Sequence, residues 1–342
     1  RGPGLYAWNG GEELSGPALA SLDARIAAAP EQHPILVFLH GTASSTMGSF
    51  ADLRKAGPEA WQALAQRYPG GIYGFEHRTL SESPIDNALA LLATLPAGAH
   101  VSFVSHSRGG LVGDLLCLAG VGAPAIAGYK HDLEGTGDAD PGEARRVIGQ
   151  LSDAHAEQRG KLQQLSQALA TKGLVVQRYV RVASPAAGTK LASGNFDLFL
   201  SGLLTLIGRV PGLFASPYYA AFKRVVLEVA KNRTNARLVP GIEAMLPDAP
   251  MARLLRNAPA RPGLRMAVIA GDIEGGEKLL SRLGVLLVDH LFFSRTDNDL
   301  VVDTPAMLAG VAPVATARVR FDRGSDVSHF RYFENADTRD AL

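Results

Sequence analysis

The chain has 342 residues, 46% of them hydrophobic and 20% charged, and its formal net charge is +1. This length suits one large α/β domain with insertions or two ordinary domains, and the charge balance gives no reason to expect a nucleic-acid partner. The only cysteine is Cys117, which excludes an intramolecular disulfide. The longest apolar stretches, Phe196–Ile207 and Val285–Phe293, are too short to span a bilayer. We therefore expect a cytoplasmic protein without a transmembrane segment.

Short apolar runs alternate with helical patterns along the chain, which is typical of a mostly parallel central sheet flanked by helices. The runs are rich in Val, Ile, Leu and Phe and alternate little, as expected of strands buried on both faces. The predicted strands are Ile35–His40, Ile72–His77, Val101–Ser105, Tyr179–Ala183, Met266–Ala270 and Ala317–Phe321. The predicted helices are Glu59–Arg67, Ile85–Leu95 and Arg108–Leu118.

Two longer segments of helical character interrupt this alternation, at residues 123–173 and 191–261. We interpret residues 1–342 as a single α/β domain in which these segments are cap or lid insertions. The second segment carries apolar runs such as Tyr218–Val229. These runs either pack the lid onto the core or line a pocket for an acyl chain, and the sequence leaves both options open.

The strongest functional signal lies where a buried strand runs directly into an apolar helix, at Ser105-His-Ser-Arg-Gly109. A nucleophilic serine needs a strained turn that projects its hydroxyl above the sheet, with small residues two positions before and after it. Ser105 and Gly109 meet that need. The pattern predicts a nucleophile elbow with Ser107 as the nucleophile.

The loop after the first predicted strand reads His40-Gly41-Thr42. In a fold with a nucleophile elbow, this loop supplies one backbone N–H of the oxyanion hole, and the residue after the nucleophile supplies the other. We assign these donors to Thr42 and Arg108. Gly41 permits the turn of the backbone, and His40 is interpreted as a supporting residue.

Arg108 is large and charged for a position directly after a nucleophile. Its side chain either enters the pocket and binds an anionic group, or lies on the surface and pairs with Glu76 or Asp114. We favour the surface interpretation.

A catalytic base is expected near the C-terminus, since the chain order in this kind of site is serine, acid, histidine. His329 is the only histidine after residue 290, and it follows the last predicted strand. His290 is the rival, but it precedes the region in which we expect the acid.

Four carboxylates are candidates for the acid that orients the base. Asp297, Asp299 and Asp303 lie in one segment, and Asp272 ends the predicted strand at Met266–Ala270. The residues alone leave these candidates open, although Asp297 and Asp303 also suit turns and caps.

Four blocks together resemble the lipases and esterases of the α/β-hydrolase superfamily: His40-Gly41, the elbow at Ser107, Asn298-Asp299-Leu-Val-Val302 and Val327-Ser-His329. Their order and spacing match over nearly the whole chain. The resemblance implies an α/β-hydrolase fold, Asp299 as the acid with Asp272 as the alternative, and a small-molecule or lipid-like acyl ester as substrate.

Three segments extend the resemblance. Residues 240–250 are similar to a Pro-Gly…Met…Pro-Asp-Ser-Pro stretch of some bacterial lipases. Residues 75–80 and 105–110 look closest to an uncharacterised bacterial subgroup in which such segments occur within larger proteins. Because the chain begins with Arg1 rather than Met, we expect it to be excised from a longer protein with covalently linked domains.

These observations favour a serine esterase that works without a cofactor or metal, since no metal-ligand spacing or dinucleotide loop is present. An amidase, a peptidase or an acyltransferase could use the same residues. A hydrolase-like binding module of a larger protein is the alternative from a different class.

Overall fold

The computed structural model describes residues 1–55, 58–130, 141–188, 240–245, 249–272, 307, 310–311, 318–323 and 333. Within these ranges one sheet contains β1 Gly4–Ala7, β2 Ser15–Leu19, β3 Ile35–Leu39, β4 Gly71–Glu76, β5 His100–His106, β6 Val175–Val182, β7 Arg265–Asp272 and β8 Arg318–Arg323. The strand order is β2-β1-β4-β3-β5-β6-β7-β8. Strands β3 to β8 pair in parallel, and β1 pairs antiparallel with β2 and β4. The predicted α/β class and its six strands are confirmed, with shifted ends.

The described helices are α1 Ala24–Ala28, α2 Thr46–Lys55, α3 Pro58–Arg67, α4 Pro84–Thr94, α5 Gly109–Leu116, α6 Ala123–Ala127, α7 Pro141–Lys172, α8 Pro240–Glu243 and α9 Pro250–Asn257. The three helices predicted from the sequence are α3, α4 and α5. No helix in the described ranges is both long and apolar enough to cross a membrane.

Burial explains why the central elements could be recognised from composition. All five residues of β3 are buried, and so are all eight residues of α5. Strands covered on both faces and helices covered all round need apolar residues at nearly every position. Helix α4 has a local signal as well, since Ser83 and Asp86 form a capping box at its first turn.

The sequence pattern missed β1, β2, α1 and α2. Strand β2 is only partly buried, so its residues carry no apolar signature. Strand β1 is four residues long, which is too short for a period to be recognised.

The first predicted insertion contains α6 and α7, and α7 packs against α4. Ser83 Oγ donates to Gln158 Oε1 over 2.8 Å, and Lys161 Nζ lies 2.7 Å from Asp86 Oδ1. The second insertion ends in α8 and α9, and its residues 191–239 lie outside the described ranges. The interpretation of both segments as a cap stays a prediction.

Candidate active site

The loops after β3 and β5 meet at one edge of the sheet. The two strands are parallel neighbours in a register that sets Leu39 opposite Ser105. The chain leaves β3 towards β4 on one side and later returns to β5 on the other side. Such a switch point opens a crevice at the carboxyl ends of the strands, where open α/β sheets bind ligands. Ser107 follows β5 directly, and Thr42 lies three residues after the end of β3.

Ser107 occupies a strained turn between β5 and α5. Its φ angle is +54°, which is uncommon for a residue with a side chain. The backbone N–H of Ser107 donates to Val182 O over 2.9 Å, so the neighbouring strand β6 holds this conformation. The residue is buried, with 5% of its surface exposed. The positive φ angle lies at the position where the sequence pattern predicts a strained turn.

Gly109 is the small residue that the turn requires. A Cβ at this position would lie 2.2 Å from Leu39 O and 2.6 Å from His40 O. Backbone oxygens cannot move aside as a flexible side chain does, so the first turn of α5 can approach β3 only with glycine here.

The loop after β3 lies directly against the elbow. A Cβ on Gly41 would lie 2.9 Å from Ser107 Cβ. The Gly41 N–H donates to Ser49 Oγ over 3.3 Å, and the Ala43 N–H donates to Thr79 Oγ1 over 2.9 Å. Within the described part of the chain, the backbone N–H groups of Thr42 and Arg108 have no acceptor. Neither N–H is therefore engaged by another described group.

His40 lies buried beneath this loop. Its Nε2 accepts from the backbone N–H of His77 over 3.2 Å, so its proton is on Nδ1, which donates to Gly41 O over 3.0 Å. Burial lowers the pKa of His40. A neutral ring thus supports the carbonyl of Gly41.

His77 extends this buried cluster. Its ring stacks on that of His40 with 4.0 Å between the centroids, and its Nδ1 donates to Phe75 O over 3.0 Å. Burial, together with the nearby His40 and Arg108, holds the pKa of His77 well below its usual range. The neighbouring Glu76 accepts from the Thr46 N–H at the start of α2 over 2.8 Å.

The expected surface position of Arg108 is wrong. Its side chain is 0% exposed and contacts neither Glu76 nor Asp114 by an ion pair or hydrogen bond. Instead the guanidinium donates to Gly241 O over 3.1 Å, to Asn87 Oδ1 over 3.0 Å and to Glu82 O over 2.6 Å. Burial lowers the pKa of Arg108 to about 9.

Asp114 of α5 pairs with a different arginine, Arg181 of β6. Arg181 Nη1 lies 2.6 Å from Asp114 Oδ2, and both side chains are 0% exposed. Burial raises the pKa of Asp114 to about 6, although the Arg181 charge acts in the opposite direction. Arg181 Nη2 also donates to Met307 O over 3.2 Å, and the Val311 N–H donates to Asp114 Oδ2 over 3.4 Å. The pair thus joins the C-terminal part of the chain to the core.

The sequence candidates for base and acid are only partly described. His329, His290, Asp297, Asp299 and Asp303 lie outside the described residues. Asp272 is the last residue of β7, where it is opposite Arg323 of β8. Strand β7 is two strands away from β5, which corresponds to about 10 Å across the sheet.

Phe333, near the C-terminus, packs close to the proposed nucleophile. Its side chain is buried, and its ring lies 4.9 Å from the Phe50 ring and 6.1 Å from the His106 ring, centroid to centroid. Phe333 therefore lies beside the residue that precedes Ser107.

Sequence reasoning missed Asn87, Gly241 and Met245. Gly241 accepts from Arg108, and Met245 Sδ accepts from Thr42 Oγ1 over 3.5 Å. The only signal was the Pro-Gly…Met pattern of residues 240–250, which did not reveal its contacts.

Other reactive groups lie away from this site. In the described part of the chain, no cluster of three or more His, Cys, Asp or Glu residues could hold a metal ion. Burial raises the pKa of the Cys117 thiol well above its usual value, so this thiol is a poor nucleophile.

A sequence model of the family described as "Domain of unknown function (DUF7379)" matches residues 9–126 and 158–342. No curated protein matches the chain significantly. EstA from Clostridium botulinum is similar in structure, with a TM-score of 0.52 and 13% identity over 91% of this chain and 87% of that one. Lipase 1 from Pelosinus fermentans has a TM-score of 0.50 and 16% identity, covering 87% of this chain and 92% of that one. These similarities show the α/β-hydrolase fold.

Proposed function

This chain belongs to the family described as a domain of unknown function, DUF7379, and we propose that it is a serine hydrolase that cleaves carboxylic esters. The observation that carries the proposal is the strained Ser107 at the switch point of the sheet, with a φ angle of +54°. Strain at a residue of this kind persists only where the surrounding structure imposes it, and it concentrates at functional sites.

The proposed reaction proceeds through an acyl-enzyme. Ser107 Oγ attacks the carbonyl carbon of the ester while His329 accepts the hydroxyl proton. The carbonyl oxygen becomes negative and accepts hydrogen bonds from the N–H groups of Thr42 and Arg108. His329 then gives its proton to the departing alcohol, and a water molecule releases the acid by the same steps.

The electrostatics of the site favour this chemistry. The two N–H donors lie beside Ser107 without acceptors in the described residues. Ser107 precedes α5 by two residues, so the positive end of the helix dipole lies close to the developing oxyanion. The neutral His40 supports the loop without adding a competing charge.

Asp299 is proposed as the acid that orients His329, with Asp272 as the alternative. The parallel order β5-β6-β7-β8 brings the ends of these strands to the same edge as Ser107. We propose that both insertions form a cap over this edge and that the second one provides an apolar site for the acyl chain of a small or lipid-like ester.

A fluorophosphonate probe tests the nucleophile, because it forms a covalent bond only with an activated serine. We expect one label per wild-type chain by intact mass and none on Ser107→Ala. Ser105→Ala is the matched control, since Ser105 is 0% exposed and its Oγ lies 3.0 Å from Tyr179 Oη; it should keep the label.

A series of p-nitrophenyl esters from acetate to palmitate then measures acyl-chain preference, with matching anilides to test amidase activity. Absence of labelling in folded wild-type protein would contradict the proposal and favour the non-catalytic binding module. Hydrolysis of anilides but not of esters would show that the protein is an amidase rather than an esterase.

A further inference from the structure

Arg108, directly after the proposed nucleophile, has a buried guanidinium, and its burial requires a physical explanation. Removing a charge from water is costly unless its hydrogen bonds are replaced. Arg108 is 0% exposed, and the three acceptors named above belong to two parts of the chain, residues 82–87 and Gly241. None of these acceptors is a carboxylate, although the nearby charges of Glu82 and Asp86 favour the charged guanidinium. The direct hydrogen bonds of Arg108 therefore fix the positions of backbone and amide groups.

Residues adjacent to these two parts, Thr79 and Met245, also hold the loop that carries Thr42. Thr42 Oγ1 donates to Met245 Sδ, and the Ala43 N–H donates to Thr79 Oγ1. The short segment of residues 79–82 therefore contacts both proposed donors. Thr79 binds the N–H of Ala43, the residue after Thr42. Glu82 accepts from the side chain of Arg108.

Helix α8 lies tightly on that segment. The Gly241 N–H donates to Leu80 O over 3.2 Å, and a Cβ at Gly241 would lie 1.9 Å from Thr79 O. Contact this close leaves little freedom for α8 to shift relative to residues 79–82. The Arg108 guanidinium donates to both sides of this contact, at Gly241 O and at Glu82 O.

We propose that Arg108 is a positioning residue: its guanidinium joins α8 to residues 79–82 and thereby sets the relative position of the two backbone donors at Thr42 and Arg108. The proposal rests on the proposed esterase function and adds a role for this side chain and for α8. Two donors stabilise one oxyanion only if both lie about 2.7–3.1 Å from it. A small displacement of either loop therefore weakens binding of the transition state more than binding of the substrate.

A purely structural role for Arg108 predicts something different. Loss of the buried hydrogen bonds would lower the melting temperature, but the folded fraction would keep its kcat. The separation of kcat from KM, measured on folded protein, distinguishes the two roles.

The test compares Arg108→Met, Arg108→Lys and Asn87→Ala with the wild type. The readouts are labelling by fluorophosphonate, kcat and KM for a p-nitrophenyl ester, and inhibition by a trifluoromethyl ketone, which forms a tetrahedral adduct on the serine. For Arg108→Met we expect kcat to fall about 10- to 100-fold, which is less than the loss of a whole oxyanion donor. KM should stay within about twofold, and the inhibition constant of the ketone should rise in parallel with the fall in kcat.

The two milder variants keep the proposal testable if Arg108→Met does not fold. Lysine can replace only some of the three hydrogen bonds, so Arg108→Lys should recover part of the lost kcat. Asn87→Ala removes one acceptor and should give a smaller loss of the same kind.

Arg261→Met is the matched control. Arg261 is partly buried and donates to two backbone carbonyls, Leu116 O and Leu174 O, at the far end of α5. It should lower the melting temperature and leave kcat and ketone binding unchanged.

An equal fall in kcat for folded Arg261→Met and Arg108→Met would overturn the positioning role, as would an unchanged kcat in all three variants of the test set. In both cases labelling of the wild type would leave the esterase proposal intact. A wild type that neither labels nor hydrolyses esters would overturn both proposals.

Discussion

The ring of Phe333 packs against the ring of His106, with 6.1 Å between centroids and 70° between the ring planes. His106 precedes the proposed nucleophile, and Phe333 follows the proposed base His329 by four residues in the sequence. The contact between these two rings therefore places Phe333 beside the residue that precedes the proposed nucleophile.

We predict that His329→Ala reduces kcat by about 10⁴-fold or more, because Ser107 then lacks a general base. Stopped assays with a p-nitrophenyl ester and the rate of fluorophosphonate labelling measure the effect. His290→Ala is the control and should retain both rates. A reversal of these results would assign the base to His290.

The acid can be identified by a pair of isosteric changes. Asparagine keeps the shape of aspartate but cannot hold the imidazolium, and replacing the acid of such a triad in this way costs about 10⁴-fold in kcat. We expect this loss for Asp299→Asn and less than a tenfold loss for Asp272→Asn. A large loss for Asp272→Asn alone would move the acid to the end of β7.

Strain at Ser107 should appear in the stability of the protein. A non-glycine residue in the left-handed region costs about 1–3 kcal/mol, whereas glycine adopts this region freely at a smaller entropic cost. Both Ser107→Gly and Ser107→Ala remove the hydroxyl, but only the first relieves the strain. We expect Ser107→Gly to be about 1 kcal/mol more stable than Ser107→Ala in urea unfolding. Equal stability would mean that the turn stores no strain.

Removing one partner of the buried Asp114–Arg181 pair should lower the free energy of unfolding substantially. Asp114→Asn leaves the Arg181 charge without its partner, and such changes destabilise proteins by about 3–5 kcal/mol. Asp23→Asn is a suitable control, because Asp23 caps α1 on the surface and asparagine caps equally well. The double change Asp114→Leu with Arg181→Met should recover much of the loss. A small effect of Asp114→Asn alone would show that the pair adds little.

The buried histidines predict that stability falls in mild acid. Burial depresses the pKa of His77 and of His40 in the folded state, so protons bind more readily to the unfolded chain. The stabilisation is fully present above about pH 6.5, the unfolded value, and decreases as the pH falls from there towards the folded values, by up to about 1.4 kcal/mol per pH unit for each ring.

His77→Phe keeps a stacked ring but cannot titrate, so its unfolding free energy should fall less between pH 7 and pH 5 than that of the wild type. Asp114 acts in the opposite direction, because its raised pKa of about 6 favours proton uptake by the folded state. Repeating the series on Asp114→Asn separates the two contributions. Parallel pH profiles for wild type and His77→Phe would contradict the prediction.

Arg108 illustrates why parts of the site could not be read from the sequence. The strand, the elbow and the helix around it lie within one segment, and each has a local signal: apolar runs, small residues at fixed offsets and a helical period. The burial of its side chain depends on Gly241, which lies 133 residues away along the chain. No local pattern reports a contact over such a distance, so the charge suggested a surface position instead.

Local chemistry therefore determined the six parallel strands, the turn at Ser107 and the need for Gly109, because apolar burial and backbone sterics act between residues that are close in sequence. Tertiary structure alone decided that Thr42 and Ser107 meet at the switch point, that α8 lies against residues 79–82, and that Phe333 returns to His106. These relationships depend on strand order and on packing between distant segments. Both come from the burial of the whole apolar surface at once, and no single segment of the sequence carries them.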